Sequence, residues 1–493
     1  MALRARRGAR LRRAARSRSG VVALACALYL AAGALALSPA LRHAGDELLA
    51  YGKPRPGVVT PGDHLQTTYN LWLPGHQLAH ARAPWLDPYS FQPESPPRIN
   101  FAGWPFAILF GPLHVLFGTV GAWNAFALLT YVGAGAAAAA WLRSLRLPLG
   151  AALVGGLAFS LAPYRSIQTS GGHLFGAVAM LLPLSLWALE TRRRWLAIAA
   201  IASVPLSGQV HLALGTMVFF LAYAAARRRP GLGIAGAAAS LLAGIVVYVA
   251  GIRGSTGAGG RSFGQVERYS ADVLDFFTRH ARHGFETFVF VGWLVPLAAV
   301  AGVVLVWRRD RGLALTLGLG VLVPVVLALG ANTPLYEPVW DVLPGLRHTR
   351  VPERLLPIAC LCLAALVAFA VARIPWRYAA LVAIPLVALD LRVDVYRPMG
   401  ADESNPVYAE LRDAAPGRLL ERPVIVPELQ EGSVYLYYAM QAPRERPLGY
   451  STTAPRSADR TARALRRGLD PKTLGVRWVV RYRDGKPARL TVP

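Results

Sequence analysis

Ionisable side chains are scarce in this sequence. Charged residues fill 16% of its 493 positions, where a soluble domain carries about 25%. That shortage excludes an ordinary soluble globule. Cysteine is almost missing. Cys26, Cys360 and Cys362 all lie inside apolar runs. None is placed for a disulfide in a water-exposed domain, and none has metal-ligand spacing. Cys360 and Cys362 are two apart, so they point to different sides of a helix and read as packing. No Gly-rich phosphate loop of Walker type, no HExxH and no GxSxG occurs. Their absence removes ATPase and soluble-hydrolase readings. The stretch GSTGAGG (254–260) is too loose to cradle a nucleotide and reads as a loop.

What the chain has in quantity is apolar length. Hydrophobic residues make up 54%, and many runs reach the 18–22 residues that cross a bilayer. The sequence therefore reads as a polytopic membrane protein. Its net charge of +26 comes largely from arginine. Much of that arginine sits in clusters between apolar runs: RARRGARLRR (4–13), RSLR (143–146), RRR (192–194), RRR (227–229) and WRRDR (307–311). This is the signature of cytoplasmic loops, so nucleic acid is not an expected partner. The basic start, the apolar run and ALALS (34–38) also resemble a cleaved signal. The run is long for that, which favours an uncleaved anchor.

Apolar length places spans near 20–41, 121–141, 149–163, 174–190, 195–207, 210–226, 231–252, 286–307, 312–330, 354–372 and 376–392. The segment WPFAILFGPLHVLFG (104–118) is short and broken by Gly111-Pro112. Were it to cross, the later Arg clusters would face outward. An interfacial or re-entrant segment keeps them inside, giving about eleven crossings. Residues 1–19 then form a cytoplasmic basic terminus and 20–392 a membrane domain. Residues 393–493 form a small extracytoplasmic α/β domain. In that tail VIVPEL (424–429) and VRWVVRY (476–482) read as strands. NPVYAELRDAA (405–415) reads as a helix capped by Asn405 with Pro406 in its first turn.

The same topology gathers four polar loops on the outer face: 42–103, 164–173, 253–285 and 331–353. Polar groups that persist near a bilayer invite a functional reading. The first loop offers Asp63, His64, Gln66, Asp87 and Glu94. The second offers Arg165, Gln168 and His173. Gln209 and His211 lie between two short helices. The late loop offers Glu337, Asp341, Arg347, His348, Arg350, Glu353 and Arg354. Guanidinium groups hold phosphate by paired hydrogen bonds, and a carboxylate beside a hydroxyl acts as general base. Together they suit transfer of a group from a lipid-linked phosphate to a hydroxyl. Each has a plainer reading. Asp63 after Pro-Gly is a helix cap, and His64 and His173 are local packing. Arg347, Arg350 and Arg354 reach lipid headgroups. Gln209 and His211 bridge helices, and Asp87 and Glu94 are solvated loop charges. Burial would raise the Asp63 pKa and nearby arginine would lower it, and the sequence does not decide between them.

Three stretches resemble the GT-C superfamily of integral-membrane glycosyltransferases, and within it the YfhO-like bacterial membrane proteins. They are TPGDHLQTTYNLWLPGHQLAHARAPW (60–85), LAFSLAPYRSIQTSGGHLFGAVAMLLPLSLWALE (157–190) and LGANTPLYEPVWDVLPGLRHTRVPERLL (329–356). The last carries Gly-x-x-Thr-Pro and Arg-x-Pro-x-Arg. NPVYAEL, GYSTTAP and LGVRWVVRY in the tail add to the likeness. The resemblance implies a GT-C-like helical membrane fold in a bacterial plasma membrane. It implies a polyprenyl-phosphate-sugar donor, a glycan, lipid or protein acceptor, and reaction on the outer face. It makes Asp63 the catalytic aspartate, which deprotonates the acceptor hydroxyl. It implies substrate binding by His64, Gln66, Arg165, Gln168, His173, His211, Arg347, Arg350 and Arg354. His64 stands where some members carry a second acid, so use of a divalent metal stays open. A lipid-linked glycan transporter and a non-catalytic accessory protein of envelope assembly remain as alternatives.

Overall fold

The structure is a computed structural model. It describes residues 2–493 except 56, 94–97, 283, 344–345 and 377, with side chains described from residue 19 onward. Glu94 lies outside the described residues, as do the side chains of the first Arg cluster.

Helices dominate. In chain order they are α1 (Ala2–Leu37), α2 (Asp63–Ala79), α3 (Ala107–Ser144), α4 (Leu149–Ser160), α5 (Pro163–Ser170), α6 (Phe175–Val178), α7 (Leu181–Glu190), α8 (Arg194–Leu206), α9 (Val210–Ala226) and α10 (Pro230–Val247). They continue as α11 (Phe263–Tyr269), α12 (Leu294–Trp307), α13 (Arg311–Ala328), α14 (Tyr336–Val342), α15 (Leu356–Arg373), α16 (Ala379–Leu391), α17 (Pro406–Asp413), α18 (Ser433–Ala439) and α19 (Arg456–Arg466). Five segments among the described residues are long and apolar enough to cross a membrane: Ser19–Leu37, Ala107–Ser144, Pro230–Ile252, Arg311–Ala328 and Pro352–Arg373. Six shorter apolar helices accompany them. Burial separates their roles. The stretch ending in α15 is 78% buried and forms the axis of the bundle, whereas that of α10 is 17% buried and lies at its edge. Small residues along α15 allow close packing. A Cβ on Gly302 of α12 would sit 2.2 Å from the Leu366 carbonyl.

The segment at 104–118 joins the next helix as α3, with a break at Gly118 (φ 68°, ψ −171°). Glu403 from the tail fills the break and accepts hydrogen bonds from the Thr119 and Val120 amides at 2.6 and 3.0 Å. Before it, Ile108, Val115, Leu116 and Phe117 are exposed. One span differs from expectation. Residues 286–293 are not part of α12, which starts at Leu294. Gly292 at φ 90° turns the chain there, and Glu286 faces a polar cavity instead.

Two short antiparallel ladders stitch the loops. β1 (Leu48–Ala50) pairs with β4 (Arg397–Met399), and β2 (Leu86–Asp87) pairs with β3 (Arg98–Ile99). In the tail, β6 (Val476–Arg483) lies parallel to β5 (Arg418–Arg422) and antiparallel to β7 (Lys486–Thr491). β6 matches the expected strand, and Asn405 caps α17 by accepting from the Val407 amide at 3.0 Å. VIVPEL does not form a strand. The strand precedes it at 418–422, because Pro423 and Pro427 have no N–H to give a ladder.

Three of the basic connections meet in one network. Arg227 donates to Glu190 at 2.6 Å and to Asp310 at 2.8 Å, and Tyr223 donates to Glu190 at 2.8 Å. None of these residues lines the polar cavity described next.

Candidate active site

Asp63 is the first residue of α2, not its cap. Gly62 takes the cap position, and its amide donates to Ser433 Oγ of α18 at 3.1 Å. The Asp63 side chain is thus left to other partners. His173 Nε2 lies 3.0 Å from Asp63 Oδ2. Tyr450 donates its hydroxyl to Oδ1 at 2.6 Å, and Gln430 donates to the same oxygen at 3.3 Å. Burial alone would push this carboxyl up. The hydrogen bond and charge of His173, with Tyr450 and Gln430, outweigh burial and hold it well below the usual carboxylate range.

His173 reaches Asp63 because of the glycine before it. Gly172 adopts φ 81°, and a Cβ there would fall 2.0 Å from the His64 amide nitrogen. The turn after α5 therefore lies directly on the start of α2. Thr67 clamps it by donating to the Gly172 carbonyl at 2.5 Å. On its far side the imidazole continues a chain of contacts. Nδ1 is 2.6 Å from Gln168 Oε1, and Arg354 Nη1 donates to that oxygen at 2.8 Å. Arg354 Nη2 faces both carboxylate oxygens of Glu286 at 3.0 and 2.9 Å. Phe285 sets its ring at right angles to His173, 5.1 Å between centroids.

These groups wall a cavity of about 400 Å³. Its lining comes from all four polar loops and from the tail. Asp63, Gln66, His173, His211, Arg350 and Arg354 line it. Gln168 sits behind the wall and joins His173 to Arg354. Three other candidates are placed elsewhere. His64 is buried against Trp123 with neither ring nitrogen partnered among the described residues, and burial lowers its pKa to about 4. Arg165 is buried and donates to the carbonyls of Ser160, Gly176 and Thr130, tying α3, α4 and α6 together. Arg347 is exposed and pairs with Asp341 at 3.4 Å. Asp87 also lines the cavity, with its Oδ1 accepting from the Tyr69 hydroxyl, the Tyr89 amide and the Ser90 amide.

Sequence reasoning missed three cavity groups, Tyr450, Glu286 and Arg261, and one partner of Asp63 outside the cavity, Gln430. Tyr450 and Gln430 lie in the tail, far from any bilayer signal. Glu286 was hidden at the edge of an apolar run. Arg261 was masked by the flexible-looking GSTGAGG beside it. Burial, with the Arg350 charge nearby, presses the Arg261 guanidinium down from its usual value. Arg350 stacks over Tyr269 at 5.3 Å, and neither arginine makes an ion pair among the described residues. Among those residues, no group of three or more His, Cys, Asp or Glu is placed to hold a metal ion.

No family model matches the sequence, and no curated protein matches it. Solved structures do. The arabinofuranosyltransferase AftD from Mycobacteria superposes with a TM-score of 0.57 at 17% identity, over 94% of this chain and 35% of its own. A variant of AftD gives 0.55, again at 17% identity, over 93% of this chain and 36% of its own. The fold is that of the GT-C membrane glycosyltransferases. The oligosaccharyltransferase AglB from Archaeoglobus fulgidus, solved with an inhibitory peptide and a dolichol-phosphate, scores 0.48 at 10% identity, over 93% of this chain and 69% of its own. This chain thus spans about a third of AftD's length. The likeness is one of fold and does not bear on the YfhO-like group.

Proposed function

We propose that this protein transfers a sugar from a polyprenyl-phosphate-linked donor to an acceptor hydroxyl, at the outer face of a bacterial plasma membrane. The observation that carries this reading is the shared cavity. Asp63, its His173 partner, Arg261 and Arg350 all line it. In the proposed reaction the donor's anomeric C–O bond breaks and its electron pair leaves on the phosphate oxygen. The acceptor oxygen forms the new bond to the anomeric carbon, and its proton passes to Asp63 and then to water.

The arginines divide this work. Arg354 already has its Nη atoms committed to Gln168 and Glu286, so it holds the His173 side of the site. Arg261 and Arg350, without carboxylate partners, take the departing phosphate. His173 fixes the Asp63 rotamer and keeps its charge. The acid's lowered pKa makes it a weak base that is ionised at any physiological pH. It therefore takes the proton only as the new bond makes the hydroxyl strongly acidic. Asp63→Asn tests the reading with a panel of farnesyl-phosphate-linked pentoses and hexoses and alkyl glycoside acceptors. Transfer by the wild type and loss of about 10³-fold in the variant is the expected result. Wild-type rates from the variant would remove Asp63 from the mechanism.

A further inference from the structure

Asp63 has fewer open positions than a lone general base would. A carboxylate offers about four lone-pair sites, and three are occupied: one by His173, one by Tyr450 and one by Gln430. The three partners differ in where they stand. His173 is tied through Gln168 to Arg354. Gln430 makes the longest of the three bonds and does not line the cavity. Tyr450 does line it, and makes the shortest.

The backbone around Tyr450 is held from several directions. Gln66 of α2 donates to the Tyr450 carbonyl at 2.9 Å, fixing the backbone against the helix that carries Asp63. Ser451 reaches back to the Pro427 carbonyl, and Arg98 donates to the Thr453 carbonyl at 3.0 Å. The ring is 6% exposed. Its hydroxyl gives its proton to Asp63 and retains lone pairs to accept another. Burial, with the Asp63 charge beside it, pushes the phenol up, so it stays neutral.

We propose that Tyr450 is a catalytic proton relay between the acceptor hydroxyl and Asp63. The inference rests on the transferase reading above. The acceptor O–H donates to Tyr450 Oη while Tyr450 O–H donates to Asp63 Oδ1. As the acceptor oxygen bonds to the anomeric carbon, its proton moves to Tyr450 and the tyrosine's own proton moves to Asp63. The tyrosine ends neutral, the carboxyl ends protonated, and one proton later leaves to water. The acceptor is thereby placed on the tail side of Asp63, opposite His173.

Tyr450→Phe tests this, since it keeps the ring and the backbone acceptor of Gln66. Transfer from a farnesyl-phosphate-linked sugar is followed in mixtures of light and heavy water. The wild type is expected to show a curved proton inventory, with two protons in flight. The variant is expected to lose about 10²-fold in kcat with KM little changed, and to give a linear inventory. A variant within threefold of wild-type kcat, a change confined to KM, or a linear wild-type inventory overturns the relay while leaving the transferase reading intact. Wild-type protein that transfers no sugar across the panel overturns both.

Discussion

The Asp63 carboxylate and the His173 imidazole meet at 3.0 Å although 110 positions separate them. Their meeting depends on Gly172, which lets the turn after α5 lie on the backbone at the start of α2. Gly172→Ala would drive a methyl group into the His64 amide and the Asp63 carbonyl carbon. Transfer should fall by about 10²-fold from misplacement alone. The loss is read as kcat beside an unfolding midpoint, and full activity in a folded Ala variant would break the link.

His173→Phe keeps a ring beside Phe285 and removes the partner of Asp63. Transfer should drop by about 10²-fold. The acid limb of the pH profile should move up, because the carboxylate loses the hydrogen bond and charge that hold its pKa down. An acid limb that stays in place would mean that Tyr450 and Gln430 suffice.

Arg354 and Glu286 form an ion pair with little solvent exposure. Glu286→Gln alone leaves the guanidinium charge unbalanced and should destabilise the protein by about 3 kcal/mol. The double variant Arg354→Met with Glu286→Gln should recover most of that stability but not the activity, since Gln168 has lost its donor. Thermal unfolding in detergent together with transfer rates separates the two effects.

Arg261→Met should weaken binding of farnesyl phosphate by about tenfold and leave the unfolding midpoint unchanged. Arg347→Met, outside the cavity and already paired with Asp341, should change neither. Equal losses in both would place the phosphate elsewhere.

His64 gives a pH signature. Its ring is buried neutral with a pKa of about 4, against about 6.5 in the unfolded chain. Between those values the unfolded chain binds a proton that the native protein refuses. Stability is therefore complete above about pH 6.5 and is lost as pH falls through 4, by an amount on the order of 3 kcal/mol. His64→Leu should flatten denaturation midpoints across that window, and an unchanged slope would assign it to another group.

Much of this architecture was legible beforehand. Apolar length found the helices, and the Asn405-Pro406 cap and VRWVVRY located the tail's helix and strand. Asp63, His173, Arg350 and Arg354 declared themselves as polar residues in greasy surroundings. What stayed hidden is what long-range folding decides. Periodicity cannot say that Arg165 feeds three carbonyls, or that His64 turns inward while its neighbour turns out. Glu286 sat beside enough apolar residues to pass for a helix start. Tyr450 and Gln430 come from a segment of ordinary soluble composition, where a tyrosine carries no signal at all. Removing residues 400–493 would take away two partners of Asp63.

The ladder between Leu48–Ala50 and Arg397–Met399 ties the segment after the first helix to the one after the last. Tyr450 follows more than fifty residues later in synthesis. A nascent chain thus holds every membrane helix before its acid has all three companions. On the proposed reading, competence arrives as a closing event in biogenesis, and a chain that stops short of Tyr450 would be inserted yet inert.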